Sequence, residues 1–145
     1  MARIVVGIDG SPQAEAALRW ALEEGRLRGA TVKLVYSVAS SLPLIVDAPG
    51  FVFAEVEEVL RHEGERVLET ALGEVIGDSD PGVPIERELV DAPPAKALLQ
   101  AAEEADLLVV GSRGRGGFAG LLLGSVSQQC AHHAPCPIVI LRGTD

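Results

Sequence analysis

Aromatic residues make up only 3% of this 145-residue chain: one Trp, one Tyr and three Phe. The core must therefore be built from Ala, Val, Leu and Ile, and the stacking platforms of a single-strand nucleic-acid binder are missing. Positive charge is scarce as well. Twelve Lys plus Arg stand against 21 Asp plus Glu, a formal net charge of −9. That balance excludes the basic stripe of a nucleic-acid binder and the polybasic face of a membrane-surface protein. Any anionic ligand must be held locally, against the global field. Cysteine is nearly absent, with two residues, too few for a disulfide scaffold. Cys130 and Cys136 stand six apart, which matches no zinc spacing, and they read as reduced thiols of a cytoplasmic protein. Long apolar runs are missing too. The segment Met1-Ala-Arg-Ile-Val-Val-Gly-Ile8 reaches Asp9 too soon for a secretory leader. Gly116–Gly124 is far short of the ~20 residues of a membrane span.

What is present is 48% hydrophobic residues, too many for a disordered chain, and a length that fits one domain over 1–145. Ile4–Ile8 is a short β-branched run ended by Asp9-Gly-Ser-Pro12, a strand followed by a tight turn. Ser11 stands where an N-cap belongs and Pro12 at the first helical position. Ala14, Ala17, Leu18, Ala21 and Leu22 then mark one helix face. Gly25 predicts a frayed last turn, since glycine costs up to ~1 kcal/mol in a helix interior, and Gly29 predicts its end. Val32–Val38 reads as a strand, and residues 39–54 as a long loop. Val56 through Val75 follow helical spacing, their seven neighbouring glutamates forming a solvated face. Ile85–Val90 alternates like a half-exposed edge strand. Asp91-Ala-Pro-Pro94 opens a helix with Ala97, Leu98, Ala101, Ala102 and Ala105 inward. Leu107–Val110 is apolar on both faces, as a central parallel strand requires. A glycine-rich loop, a helix capped by Ser125 and running to about His132, and a strand Pro137–Leu141 complete the chain. Strands alternating with helices predict an open parallel sheet covered on both sides. Ligands of such sheets sit at the carboxyl ends of the strands, where strand order reverses.

Two segments fall at that end: Asp9–Ser11 and Gly111–Ser127. Five of the ten residues from Gly111 to Gly120 are glycine, so backbone N–H groups can approach a ligand closely. The helix N-terminus at Gly124-Ser125 adds unpaired N–H groups and a positive dipole end. Arg113 and Arg115 add local positive charge, although either could be an ordinary surface cation. Together these features describe a phosphate cradle. A P-loop is excluded for want of lysine. Gly114-Arg-Gly116-Gly-Phe-Ala119 fits G-x-G-x-x-A, but no acidic residue follows at the ribose-binding distance. The loop carries no nucleophile elbow. Adjacent His132 and His133 diverge by about 100° on a helix, which argues against a metal site with Cys136. Trp20 and Tyr36 read as packing residues.

The spacing Gly111-x2-Gly114-x9-Gly124-Ser125, with Ile4–Ser11, Ala105–Gly114 and Ala134–Arg142 around it, resembles the ATP-binding branch of the universal stress protein family over nearly the whole chain. The resemblance implies a Rossmann-like, open five-stranded parallel sheet of order 3-2-1-4-5 with four helices, as in the adenine-nucleotide α-hydrolase-like folds. It implies ATP as ligand. Asp9 and the backbone of Ile8 would meet the ribose or adenine side, and the backbone near Ser37 the adenine edge. Gly111 and Gly114 would line the ribose and first phosphates. Gly124, Ser125, Val126 and Ser127 would hold the outer phosphates through N–H and hydroxyl groups, with Arg113 beside them. Mg²⁺ or Mn²⁺ would ride on the phosphates. Asp9 can equally cap the first turn, and Ser11 is mainly an N-cap. Ser37 stands where an apolar residue is more usual. The bare strand Ile138–Leu141 implies a homodimer, as that strand mediates pairing in the family. The expected role is a nucleotide-responsive stress module in the cytoplasm, with slow hydrolysis at most. Two competing expectations are a dimeric stress protein that binds no nucleotide, and a nucleotidyl transferase or pyrophosphatase on the same superfold. The second alternative lacks its His-x-Gly-His or Ser-Gly-Gly-x-Asp-Ser element, since Gly7-Ile-Asp-Gly-Ser11 occupies that place. Nucleic acid and membrane are not expected partners.

Overall fold

The computed structural model describes residues 2–41, 56–113 and 123–142. Its strands are β1 (Arg3–Gly7), β2 (Thr31–Ser37), β3 (Ile85–Val90), β4 (Leu107–Gly111) and β5 (Ile138–Leu141). Its helices are α1 (Pro12–Arg28), α2 (Val56–Ile76), α3 (Pro94–Ala102) and α4 (Ser125–His133), with a 3-10 turn at Val38–Ser41. The strands form one parallel sheet of order β3-β2-β1-β4-β5. The expected architecture and strand order are therefore those observed.

Period-two alternation explains the two cores. Even-numbered Ile4, Val6, Val32, Leu34 and Tyr36 face α1 and α2, meeting Leu18, Leu22, Leu68 and Leu72. Odd-numbered Val5 and Val35 face the other way, with Leu108, Val110, Leu98 and Cys130. Strands buried on both faces must be apolar at every position, which is why β1 and β4 read as unbroken runs. Each fully buried Leu or Ile in these cores contributes about 1.5–3 kcal/mol through burial. Among the described residues β3 pairs only with β2, and it exposes Glu86 and Arg87, the edge strand that its alternation predicted.

α1 starts as expected. Ser11 is the N-cap, and its Oγ accepts the Ala14 N–H at 3.2 Å, with Pro12 at the first helical position. Its end corrects the expectation of fraying. Gly25 is buried, and a Cβ there would stand 2.9 Å from Val32 Cγ2 and 3.3 Å from Val83 Cγ1. The last turn is pressed onto β2, and only glycine admits that approach. Gly29 takes the left-handed conformation (φ 65°), and the Ala30 N–H closes back to the Gly25 carbonyl at 2.9 Å, a helix stop that satisfies an orphan carbonyl.

Three boundaries differ from expectation. α3 ends at Ala102, and Ala105 lies in the turn beyond it, its N–H bonded to the Ala102 carbonyl at 3.0 Å. The chain leaves the helix there because Asp106 pairs with Arg3: each donates its N–H to the other residue, Arg3 to the Asp106 carboxylate and Asp106 to the Arg3 carbonyl. At α4 the N-cap is Gly124, with Ser125 the first helical residue. The expected loop at 39–54 begins as the 3-10 turn, and residues 42–54 lie outside the described residues.

Candidate functional site

A cavity of about 310 Å³ opens at the carboxyl ends of β1 and β4. β1 lies between β2 and β4, so this is where strand order reverses, the place at which open α/β sheets take ligands.

One wall grows from the end of β1. The Ile8 N–H extends the ladder to the Val35 carbonyl at 2.9 Å. The chain then turns sharply: Gly10 has φ 85°, a left-handed conformation that a side chain would disfavour. Asp9 Oδ1 accepts the Ser11 N–H at 2.9 Å and thereby braces this turn. Asp9 also lines the cavity, so the turn-capping and the cavity-facing readings of this residue hold together.

The opposite wall comes from the end of β4 and the start of α4. No side chain caps α4 at Gly124. The N–H groups of a first helical turn lack intrahelical acceptors, and Ser125, Val126 and Ser127, which carry them, line the cavity. The positive dipole end adds about 0.3–1 kcal/mol for an anion placed there. Arg113 lines the cavity too, and Asp9 and Arg113 are its only charged residues among those described.

Two polar clamps hold this wall. The Ser112 carbonyl accepts the Gly124 N–H at 2.6 Å and the Ser127 hydroxyl at 2.6 Å. The Ser127 hydroxyl is also 3.1 Å from the Gly124 carbonyl. Its proton is thus committed to the protein, and toward the cavity Ser127 can contribute its N–H. The second clamp is Gln13, whose Oε1 accepts the Ser112 hydroxyl at 3.0 Å and the Arg113 N–H at 2.7 Å. Gln13 thus ties the start of α1 to the end of β4. Gly111 makes that contact possible, because a Cβ there would stand 3.2 Å from the Gln13 backbone.

The third wall is apolar: Val35 with Pro94, Ala97 and Leu98 of α3. Leu98 reaches in over Gly7, where a Cβ would stand 2.9 Å from Leu98 Cδ1. Ser37 closes this end of the cavity. Its hydroxyl donates to the Ala92 carbonyl at 2.5 Å and joins the end of β2 to the approach to α3.

Ile8, Asp9, Ser37, Gly111, Arg113, Gly124, Ser125, Val126 and Ser127, singled out from sequence, are therefore brought to one cavity. Gly114 and Arg115 lie outside the described residues. The sequence reading missed Gln13, Ser112, Pro94 and Leu98 as site residues. For Pro94 and Leu98 the signal existed, since their helix follows an edge strand and must pack beside the switch point. For Gln13 no local signal existed. Among the described residues no cluster of three His, Cys, Asp or Glu side chains is arranged to hold a metal ion, and no helix is long and apolar enough to cross a membrane.

A Rossmann-like parallel sheet with a glycine-edged cavity at its switch point defines an open α/β domain. The chain belongs to the Universal stress protein family, whose pattern matches residues 1–142. A universal stress protein of Mycobacterium tuberculosis is 39% identical over 144 residues, covering 97% of this chain and 45% of that protein. The chain thus spans about half the length of the curated relatives it matches. The Archaeoglobus fulgidus universal stress protein in complex with dAMP has a TM-score of 0.67 and 26% identity, covering 97% of each chain. A universal stress protein in complex with cAMP has a TM-score of 0.58 and 27% identity, covering 97% of this chain and 95% of that one.

Proposed function

We propose that this protein binds an adenine nucleotide in the switch-point cavity and works as a nucleotide-responsive regulatory module. The observation that carries this reading is the polarity of the cavity. One end has the uncapped start of α4 beside Arg113, suited to phosphate; the other has the apolar wall of Val35, Pro94 and Leu98, suited to a base. Asp9 lies at the end of β1, between these two ends, where a carboxylate accepts ribose hydroxyls. The dAMP and cAMP complexes of related proteins support the ligand class. Within it we favour ATP. Its outer phosphates would take the N–H groups of Ser125, Val126 and Ser127 with those of the glycine segment that includes Gly114. Mg²⁺ or Mn²⁺ would be carried on the phosphate oxygens, as Mg²⁺ often is. We further propose a homodimer through the free edge of β5, and a cytoplasmic setting, which the free thiols Cys130 and Cys136 suit.

The test is calorimetric titration with ATP–Mg²⁺, AMP and GTP, paired with thermal melting. Ligand at 100 times its dissociation constant should stabilise the fold by about 2.7 kcal/mol, a rise in melting temperature of about 5–10 °C. Asp9→Asn keeps an oxygen for the Ser11 N–H but removes the charge. It should weaken binding roughly tenfold, since bonds to charged groups contribute about 1.5–3 kcal/mol and neutral ones about 1. Absence of any binding by the unaltered protein refutes the reading.

A further inference from the structure

The hydroxyl of Ser37 has a fixed direction. Its partner at 2.5 Å is the carbonyl of Ala92, which can only accept, so the Ser37 proton lies on that bond. A hydroxyl carries one donor and two acceptor lone pairs. With the donor spent, Ser37 can offer only acceptance to anything that enters the cavity. Turning the proton toward a ligand would give up the bond that joins the end of β2 to the approach to α3.

Topology says which part of a ligand meets it. The start of α4 lies beyond β4, while Ser37 ends β2, on the far side of β1. A nucleotide with its phosphates at α4 therefore lays its base toward β2. There the cavity is lined by Val35, Pro94, Ala97 and Leu98, which cover the faces of a ring but cannot read its edge, together with Ser37 and, in the turn beyond β2, Ser40. Ser37 is the polar side chain of β2 at this end.

We propose that Ser37, held in acceptor-only form by Ala92, makes this cavity select purines bearing a 6-amino group over purines bearing a 6-oxo group. The proposal rests on the adenine-nucleotide reading above and names its discriminating residue. A 6-amino group is a donor and completes the bond. A 6-oxo group is an acceptor, and it would face an oxygen lone pair with no proton between them. A buried mismatch of this kind costs about 10- to 100-fold in affinity. An apolar side chain at this position would not penalise the 6-oxo group in this way.

The experiment titrates AMP, IMP and purine riboside 5′-monophosphate, which has no 6-substituent, into the unaltered protein, Ser37→Ala and Ser37→Thr. The unaltered protein should bind AMP most tightly, purine riboside monophosphate less tightly, and IMP at least ~10-fold more weakly than AMP. Ser37→Ala should bring the AMP and IMP affinities within about threefold of each other. Ser37→Thr keeps the hydroxyl and should retain the preference, which separates a lost acceptor from a disturbed wall. Equal affinity of the unaltered protein for AMP and IMP, or an undiminished preference in Ser37→Ala, overturns the proposal and leaves nucleotide binding standing. Binding of none of the three monophosphates, nor of ATP–Mg²⁺, overturns the nucleotide reading and this proposal with it.

Discussion

Ser127 and Cys130 show how single side chains set the properties of this site and its support. Ser127 is 2% exposed, and its hydroxyl holds the Ser112 carbonyl. Ser127→Ala removes that donor while the Gly124 N–H still reaches the same oxygen. The expected loss is about 1 kcal/mol, read as a melting temperature lower by about 2–4 °C. An unchanged melting temperature would show that the clamp carries no load. Cys130, three residues on, is fully buried, and burial pushes its thiol up to about 11 from an ordinary 9.0. In the unfolded chain this thiol ionises near 9; in the folded protein it stays protonated to about 11. Between those values the unfolded chain binds fewer protons, so stability falls as pH rises through the window. Urea unfolding at pH 8 and pH 10.5 should show a drop smaller by about 1–2 kcal/mol in Cys130→Ala. Equal drops would refute the assignment. Other groups that titrate in this window are common to both proteins, so the difference between the two drops isolates the thiol.

At the scale of elements, closeness of approach decides more than propensity. Glycine lowers helix propensity, yet α1 and α2 each bury one where a neighbour arrives. Gly25 seats α1 on β2. Gly64 of α2 faces Leu89 of β3 and Tyr36 of β2, and a Cβ there would stand 2.8 Å from Leu89 Cδ2 and 3.1 Å from Tyr36 Cδ2. Gly64→Val should therefore cost about 1–3 kcal/mol through overpacking, whereas Gly73→Val, on the same helix with open space around it, should cost well under 1 kcal/mol. Equal destabilisation of the two variants in urea would show that propensity, not contact, governs this helix. The helix periods and β-branched runs were readable from residues alone, because period 3.6 and period 2 are local properties. The role of Gly25 was not. The sequence reading assigned it a propensity cost, and its partners Val32 and Val83 are brought there by the sheet.

At the scale of the whole molecule, the free edge of β5 bears on assembly. Ile138, Val139, Ile140 and Leu141 are all half-buried, and among the described residues β5 pairs only with β4. An apolar edge left open invites pairing with another strand. Light scattering at micromolar concentration should give twice the 15.2 kDa chain mass, and hydrogen exchange should protect the β5 amides that β4 does not use. A monomer under those conditions refutes the dimer. The relatives of about twice this length make the measurement informative for the isolated 145-residue chain.

The sequence by itself determined the alternation of strands and helices, the apolar faces, the cap at Ser11 and the glycine spacing of Gly111, Gly114, Gly124 and Ser125. These are readable because each is a pattern within one continuous stretch of the chain. Only the tertiary structure decided that Gln13 would bridge to Arg113, that Leu98 would wall the cavity over Gly7, and that the Ser37 proton would be held by Ala92. Those contacts join residues 55 to 100 positions apart, or pack one element's side chain into the gap left by another's glycine. No local pattern encodes them, because they exist only once the parallel sheet has set the spacing between its strands.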